Sequence, residues 1–377
     1  MKIAVNTRFL IKDKLEGIGI YTQEIFKRVA TLLPQHEFYF LFDRTPSKEF
    51  IFSENIRPVV VSPQARHPFL WYWWFEHSIP KALEEIEADL YISTDGYASL
   101  NTEVPQIVTI HDLGFEHYPH HTPFLVRNYY RHYTPKFCRK AERIVAVSAF
   151  TKNDIISNYS IDGDKIEVVY NGVENFPGSN SLHPIKQLRD CFHIKDKPYF
   201  IFIGAVHPRK NVLQLLKAFE LFKSEFLSDH QLVIVGRNAW MNMEVENYFR
   251  QMESKPDVIR IESIDRSQLM GLLGNAFALI YPSLFEGFGI PIVEAMAAGI
   301  PVITSNTSSM PEVAGDAAIL VNPGSTKEIA AAMQLLITDT TRRNELIEKG
   351  KERAKAFNWD ISAQKVVEII QEVLKKK

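Results

Sequence analysis

The residues best suited to chemistry surround a predicted helix start near position 290. Pro291 suits the first position of a helix, where its missing N–H would have no partner, and Gly289 lies just before it. The amides of Gly289 and Ile290 are then available to an anion, because a helix start carries partial positive charge. Glu286 lies in the loop before, free to face a polar, non-ionic group, and Glu294 lies one turn inside, where a carboxylate can accept two vicinal hydroxyls. A diphosphate joined to a ribose and a sugar fits this arrangement.

A basic pair, Arg209 and Lys210, precedes the predicted helix Val212–Phe226. Cations are unfavourable at a helix start, so we interpret the pair as functional rather than as ordinary surface residues. A diphosphate leaving group is anionic, and many transferases neutralise it with a divalent metal held by aspartates. In a water-poor site an arginine fork and a lysine ammonium can do the same. We therefore expect this pair to stabilise the leaving group and expect no metal cofactor.

These residues follow apolar runs that alternate with helical patterns twice along the chain, which predicts two doubly wound α/β domains. We predict a Rossmann-like domain on the acceptor side at 1–172, a linker at 173–197, a Rossmann-like nucleotide-sugar domain at 198–357 and a last helix at 358–377. That helix can pack on either domain, the N-terminal one included. Because open α/β sheets bind ligands at the carboxyl ends of their strands, we expect several loops to line one cleft between the domains. They are the loops that carry Gly17 and Gly19, His111, Arg209 and Lys210, and Glu286.

Composition excludes several classes of protein. The chain is 46% hydrophobic and 23% charged, with a net charge of −2, so nothing indicates binding to nucleic acid. The two cysteines have neither metal-type nor redox-type spacing. The start of the sequence lacks the apolar stretch of a signal peptide, and no run approaches the roughly 20 apolar residues that span a bilayer. We therefore predict a cytoplasmic protein.

Three motifs now resemble a known family. The runs Gly204-Ala-Val-His-Pro-Arg-Lys-Asn211, Pro282-Ser-Leu-Phe-Glu-Gly-Phe-Gly289 and Glu294-Ala-Met-Ala-Ala-Gly-Ile-Pro301 are similar to the retaining group 1 (family 4) glycosyltransferases. The resemblance covers nearly the whole chain and is looser in the first half, where Gly17-Ile-Gly19 and His111-Asp112 match. It implies the GT-B fold, in which two Rossmann-like domains face each other across a cleft.

The resemblance also implies a function. A hexose would move from a nucleoside diphosphate sugar to a saccharide or lipid-linked glycan acceptor, in polysaccharide or lipopolysaccharide biosynthesis. Similarity of the Arg-Lys-Asn segment to mannosyltransferases favours GDP-mannose. Pyrophosphate contacts would fall on Arg209 and Lys210, donor-sugar contacts on Glu286 and nearby amides, and the ribose contact on Glu294. The implied catalytic residues are His111, Arg209, Lys210 and Glu286, and the implied donor-binding residues are Gly17, Gly19, Gly287, Phe288, Gly289, Ile290 and Glu294.

Two other functions stay open at this point. A nucleotide-sugar epimerase of the same two-domain form would also hold a diphosphate, but it would convert the nucleotide sugar without an acceptor. A non-catalytic nucleotide-sugar-binding protein would show no turnover with any acceptor.

Several further patterns have competing interpretations. Thr122–Arg143 is basic and amphipathic, which fits either peripheral contact with the inner face of the cytoplasmic membrane or an aromatic stripe facing the core. The aromatic run Trp71–Phe75 fits the core or an acceptor site. Asp162-Gly163-Asp164 has the form of a metal-binding pair, but turn chemistry already explains it. The histidines between 111 and 121 match no zinc spacing, and we interpret them as a polar loop.

Overall fold

The computed structural model describes residues 1–12, 14–173, 184–237 and 243–376, and the chain divides into two compact units. The first unit comprises Met1–Gly172 with Asn358–Lys377, and the second comprises Val173–Phe357. Of the segment predicted as a linker, residues 174–183 lie outside the described residues. Residues 184–197 belong to the second unit and include a helix, so they differ from a simple connection.

The first unit contains one parallel sheet. Its strands are β1 (Lys2–Asn6), β2 (Glu37–Phe42), β3 (Ile56–Val60), β4 (Leu90–Ser93), β5 (Gln106–Ile110), β6 (Arg143–Ala146) and β7 (Ile166–Val168), in the order β3-β2-β1-β4-β5-β6-β7. Its first helices are α1 (Gly17–Leu32), α2 (Pro68–Trp73), α3 (Ile79–Ile86), α4 (Gly114–His117), α5 (Phe124–Lys140) and α6 (Ala149–Tyr159). A π-helical turn, Trp74–Ser78, joins α2 to α3.

The second unit repeats this plan. Its strands are β8 (Tyr199–Ile203), β9 (Gln231–Val235), β10 (Val258–Ile261), β11 (Ala278–Tyr281), β12 (Val302–Ser305) and β13 (Ala318–Val321), in the order β10-β9-β8-β11-β12-β13. Its helices are α7 (Ile185–Phe192), α8 (Val212–Phe226), α9 (Met243–Gln251), α10 (Arg266–Gly274), α11 (Ile290–Ala297), α12 (Met310–Ala314), α13 (Thr326–Thr338) and α14 (Thr340–Ala354). The predicted start of α9 at Trp240 lies outside the described residues.

The last helix, α15 (Trp359–Lys375), returns to the first unit. Its apolar side chains share one buried cluster with those of α1 on one face of the first sheet, while residues of α3, α5 and α6 fill a separate cluster. Arg28 of α1 also pairs with Asp360, with 2.6 Å between Nε and Oδ1. Helices therefore cover both faces of the sheet, which explains why its strands are continuous apolar runs.

In each sheet, the order in which the chain adds strands reverses at one point. In the first sheet the chain order reverses between β1 and β4, and in the second between β8 and β11. Ligands of such sheets bind beyond the carboxyl ends of the strands at this switch point. Among the described residues, none of the helices is both long and apolar enough to cross a bilayer.

Candidate functional site

The basic pair lies at the switch point of the second unit, in a short 3-10 turn after β8. The imidazole of His207 accepts a hydrogen bond from the backbone N–H of Arg209 at 3.2 Å and caps this turn. Asn211 then adopts a left-handed conformation, which asparagine tolerates better than most residues. Its side-chain amide donates to the carbonyl oxygens of Pro282 and Pro323. The Arg-Lys-Asn segment is thereby held against the loop that follows β11.

That loop brings Glu286 to both cations. Lys210 Nζ lies 2.7 Å from Glu286 Oε1, and Arg209 Nη1 lies 3.4 Å from Glu286 Oε2. The hydroxyl of Tyr281, at the end of β11, donates to the same carboxylate at 2.9 Å. Glu286 is therefore not free in its loop, as the sequence analysis expected, but is held by two cations and a hydroxyl. A buried carboxylate needs charged partners, and the neighbouring loop supplies them.

The carboxylate of this cluster is its most buried member. Burial alone would raise the pKa of Glu286, but the charges of Lys210 and Arg209 outweigh burial and lower it below its ordinary value. Glu286 is therefore ionised at neutral pH, and one carboxylate faces two cations. The Glu286 side chain is 7% exposed, whereas those of Arg209 and Lys210 are 23% and 18% exposed. The accessible part of the cluster is positive, as a binding site for a polyanion requires.

Side-chain and backbone features fix the start of α11, which follows the cluster in the chain. Gly289 is the N-cap of α11 and has a φ of 97°, which an L-residue with a side chain rarely adopts. Helix α11 begins at Ile290, so Pro291 is its second residue rather than its first. The Ser309 hydroxyl bonds the carbonyl oxygens of Glu286 and Phe288 and thereby fixes Gly287 between them. The first amides of α11 therefore follow shortly after Glu286 in the chain, and a helix start of this kind suits an anion.

Glu294 has a partner that the sequence analysis missed. Its carboxylate is buried within α11, and Oε1 lies 2.5 Å from Nη2 of Arg266, the first residue of α10. Arg266 is about half-exposed. No local pattern marks Arg266, because it lies 28 positions before Glu294 on another helix. One carboxylate oxygen of Glu294 is thus paired with a guanidinium.

His111 belongs to the first unit, directly after β5. Its Nε2 lies 2.7 Å from the carbonyl oxygen of Thr94, and because a carbonyl only accepts, Nε2 carries the proton. The ring meets Tyr21 of α1 edge-on at 5.1 Å. Burial lowers the pKa of His111, so the imidazole is neutral and Nδ1 keeps its lone pair. This arrangement suits a hydrogen-bond acceptor or base rather than a cation.

Gly17 and Gly19 lie in the first turn of α1, not in the loop before it where the sequence analysis placed them. A Cβ at Gly19 would lie 2.6 Å from the carbonyl oxygen of Phe9, whereas a Cβ at Gly17 would meet open space. Gly19 therefore allows α1 to start close to the chain that follows β1. The open surroundings of Gly17 leave room for a ligand there.

The switch point of the first unit holds an ion pair that the sequence did not reveal. Arg8 follows β1, Asp95 follows β4, and their side chains meet at 2.5 Å with 5% and 1% exposure. The Arg8 guanidinium also lies over the rings of Phe75 and Tyr97 at 5.2 and 4.5 Å. This pair is internally neutralised and is not available to a phosphate.

The features that suggested a metal have other partners. Asp162 caps a 3-10 turn by accepting the backbone N–H of Asp164 at 3.0 Å, as turn chemistry predicts. His117 bonds the carboxylate of Asp154 at 2.7 Å. Over the parts of the chain that the structure describes, no three His, Cys, Asp or Glu side chains are grouped as metal ligands would be.

Comparison with known proteins agrees with this geometry. Residues 15–175 match the family model described as Glycosyltransferase Family 4, and residues 186–353 match the model described as Glycosyl transferases group 1. O-antigen chain mannosyltransferase B of Escherichia coli is 25% identical over 374 residues, covering 93% of this chain and 94% of the relative.

Solved structures share the fold over the full length. Sucrose-phosphate synthase from Thermosynechococcus elongatus aligns with a TM-score of 0.78 at 17% identity and 100% coverage of both chains. Anabaena HepE in complex with UDP-glucose aligns with a TM-score of 0.77 at 17% identity, covering 99% of this chain and 100% of that one. These likenesses confirm the predicted two-domain α/β fold. The two family models together match most of both units, and the chain belongs to the group 1 (family 4) glycosyltransferases of the GT-B fold.

Proposed function

We propose that this glycosyltransferase moves mannose from GDP-mannose to a saccharide or lipid-linked glycan acceptor, with retention at the anomeric carbon and without a metal. The observation that carries the proposal is the cluster of Lys210, Arg209 and Glu286 beside the start of α11. Two cations and free helix amides can hold a diphosphate and need no divalent ion to neutralise it. The name of O-antigen chain mannosyltransferase B supports mannose, and the UDP-glucose bound to HepE supports a nucleoside diphosphate sugar as the class of donor.

The chemistry follows from where charge develops. The bond from the anomeric carbon to the diphosphate oxygen breaks as the acceptor oxygen bonds to that carbon on the same face, and the acceptor proton passes to the departing phosphate oxygen. Lys210, Arg209 and the amides of Gly289 and Ile290 stabilise the charge that accumulates on the leaving group. Glu286 orients these cations and the donor sugar, and it is not the nucleophile. His111, with its acceptor nitrogen, contributes to the reaction from the first unit.

The ribose is assigned to Glu294. Its hydroxyls would bond the carboxylate oxygen that Arg266 leaves uncommitted, or would displace the guanidinium. Gly287 and Phe288 shape the sugar side of the site, and Gly17 and Gly19 the side of the phosphate or acceptor. The reaction takes place in the cytoplasm, at the inner face of the cytoplasmic membrane, which the segment Thr122–Arg143 contacts.

A panel of nucleotides tests the donor, and radiolabelled sugar tests transfer. GDP should raise the melting temperature of the enzyme more than UDP or ADP does, because it should bind more tightly. A ligand at a hundredfold excess over its Kd stabilises the folded state by about 2.7 kcal/mol. Mannose from GDP-mannose should appear on a glycan acceptor in the presence of EDTA. Loss of activity in EDTA and its return with Mg²⁺ or Mn²⁺ would show that the reaction needs a metal. Conversion of the nucleotide sugar without any acceptor would identify an epimerase instead.

A further inference from the structure

Helix α2 has a composition that normally leads to burial, yet it lies at the surface. Its six residues are Pro-Phe-Leu-Trp-Tyr-Trp, and none of them is buried. Phe69 is 73% exposed and Trp73 is 55% exposed. The next turn supplies the core contacts instead, since Trp74 and Phe75 are fully buried. The run predicted as core or acceptor site therefore divides into a buried part and an exposed part.

The exposed part continues onto α5. Phe124 and Leu125, at the start of that helix, are 65% and 51% exposed. Between α2 and α5 lies an apolar groove of about 360 Å³, lined by Pro68, Phe69, Tyr72, Leu125, Tyr129 and Tyr133. We call these groove residues, together with Trp73 and Phe124, the apolar face. Contiguous exposed apolar surface of this kind marks a binding site rather than scattered surface residues.

Cations border the apolar face. The Arg127 guanidinium lies 5.4 Å from the ring centre of Phe124, and Lys136 Nζ lies 5.4 Å from that of Tyr133. Within the described part of the chain, neither cation forms an ion pair with a carboxylate. Arg131 and Lys140 on the same helix, by contrast, pair with Glu116 and Glu103. Positive charge beside exposed aromatic rings is complementary to an anionic lipid surface, where phosphates lie next to hydrocarbon.

We propose that the apolar face is the surface by which this enzyme inserts into a bilayer containing anionic phospholipid, with α2 as the inserting element and α5 as the charged one. The inference deepens the proposed membrane contact of Thr122–Arg143 and rests on it. It adds α2, which lies outside Thr122–Arg143, to the hydrophobic part of the binding surface. Phe69, Trp73, Phe124 and Leu125 enter the hydrocarbon boundary, while Arg127 and Lys136 meet head-group phosphates.

Vesicle sedimentation of the full chain, without substrate, tests the proposal. The protein should bind phosphatidylcholine vesicles that contain phosphatidylglycerol, and should bind pure phosphatidylcholine more weakly. The double variant Phe69→Ser/Trp73→Ser should lose at least roughly tenfold in affinity for the vesicles. In the wild type both apolar side chains leave water on insertion, and the variant lacks that gain. Lys136→Glu should lose roughly fivefold or more for the removed charge, and added salt should weaken wild-type binding.

Two matched controls lie on the other face of the first sheet. Ile361→Ser on α15 removes an apolar side chain that is 52% exposed, and Lys27→Glu on α1 makes the same change of charge as Lys136→Glu. Both should bind vesicles as the wild type does. Equal binding by Phe69→Ser/Trp73→Ser and wild type would overturn the proposal, as would the absence of binding to anionic vesicles.

Sedimentation equilibrium without lipid addresses a second copy as the occupant. A dimer that Phe69→Ser/Trp73→Ser dissociates would assign the apolar face to self-association and overturn the proposal. Titration with GDP keeps this result separate from the proposed transferase function. Normal GDP binding with no vesicle binding refutes only the membrane surface, whereas vesicle binding without GDP binding refutes only the donor.

Discussion

The two switch points of this enzyme have the same topology and opposite electrostatics. In the second unit, Lys210 and Arg209 share one carboxylate, and their side chains remain partly exposed. In the first unit, Arg8 and Asp95 neutralise each other and are almost completely buried. The nearby His111 is neutral as well, because burial lowers its pKa.

The difference indicates a division of labour. A strand order that reverses at its centre provides a crevice in both units, but topology does not decide what binds there. Lys210 and Arg209 of the second unit suit an anionic leaving group, whereas the uncharged imidazole of His111 in the first unit suits a neutral sugar. This contrast supports the prediction that donor phosphate binds to the second unit and the acceptor to the first, and substitutions can test that prediction.

The largest effect is expected from Lys210→Ala. The charge on the leaving group peaks in the transition state, so turnover at saturating donor should fall by at least roughly a hundredfold. GDP binding should weaken less than turnover does, and this difference separates catalysis from binding. Lys355→Ala, which removes an exposed lysine of the same unit, is the control. Near-normal turnover of Lys210→Ala would remove this residue from the mechanism.

Glu286→Gln should mainly lower turnover. Its bonds to Lys210 and Tyr281 position the cation, and a charged hydrogen bond is worth roughly 1.5–3 kcal/mol, so the loss should lie between about tenfold and a few hundredfold. GDP binding should not weaken, because removing the negative charge leaves Lys210 and Arg209 more available to phosphate. Calorimetric titration with GDP, together with kcat, measures both. Weakened GDP binding with intact turnover would mean that the assigned orientation of the donor is wrong.

Glu294→Gln should show the opposite pattern. Ribose is remote from the breaking bond, so its contacts are similar in the ground and transition states, and their loss should weaken GDP binding by roughly tenfold or more with little change in kcat. The ion pair with Arg266 supplies a second test. Arg266→Ala should retain GDP binding better than Glu294→Gln does if the carboxylate bonds the ribose. Equal losses in the two variants would assign the effect to the broken ion pair.

Parts of this site could be predicted from local sequence. The turn residues and the glycine before Pro291 mark the start of α11, and apolar runs mark β8 and β11, whose carboxyl ends bring Lys210 and Glu286 into the same region. Their direct ion pair could not be predicted. The sequence does not show how two loops more than seventy positions apart are aligned, and this alignment decides which cation Glu286 contacts.

Other features depend on tertiary contacts that leave no local trace. Arg266 and Arg8 are ordinary surface-type residues in sequence, and only the fold brings them to Glu294 and Asp95. Helix α2 shows the converse case. Its apolar composition predicts burial, but none of its residues is buried in the described structure. The helix α7 lies in a stretch where proline and glycine nearby suggested a connection.

The smallest effect is expected from a change of pH. It tests whether the imidazole of His111 in the first unit is uncharged. Because burial lowers the pKa of His111 below its ordinary value, the imidazole should stay uncharged at about pH 6.5, where a free histidine would be half protonated. If neutral His111 is required, turnover at saturating donor should therefore fall by less than about twofold between about pH 8 and 6.5 through this group. At pH values between the folded and unfolded pKa of His111, this residue binds more protons in the unfolded chain than in the folded one. The contribution of His111 to the free energy of unfolding should therefore decline as pH falls below about 6.5. The difference in unfolding free energy between wild type and His111→Gln, followed over this range, should narrow with falling pH. A half-maximal loss of turnover at or above pH 6.5 that disappears in His111→Gln would show that His111 titrates normally, and the electrostatic contrast between the two units would then not hold.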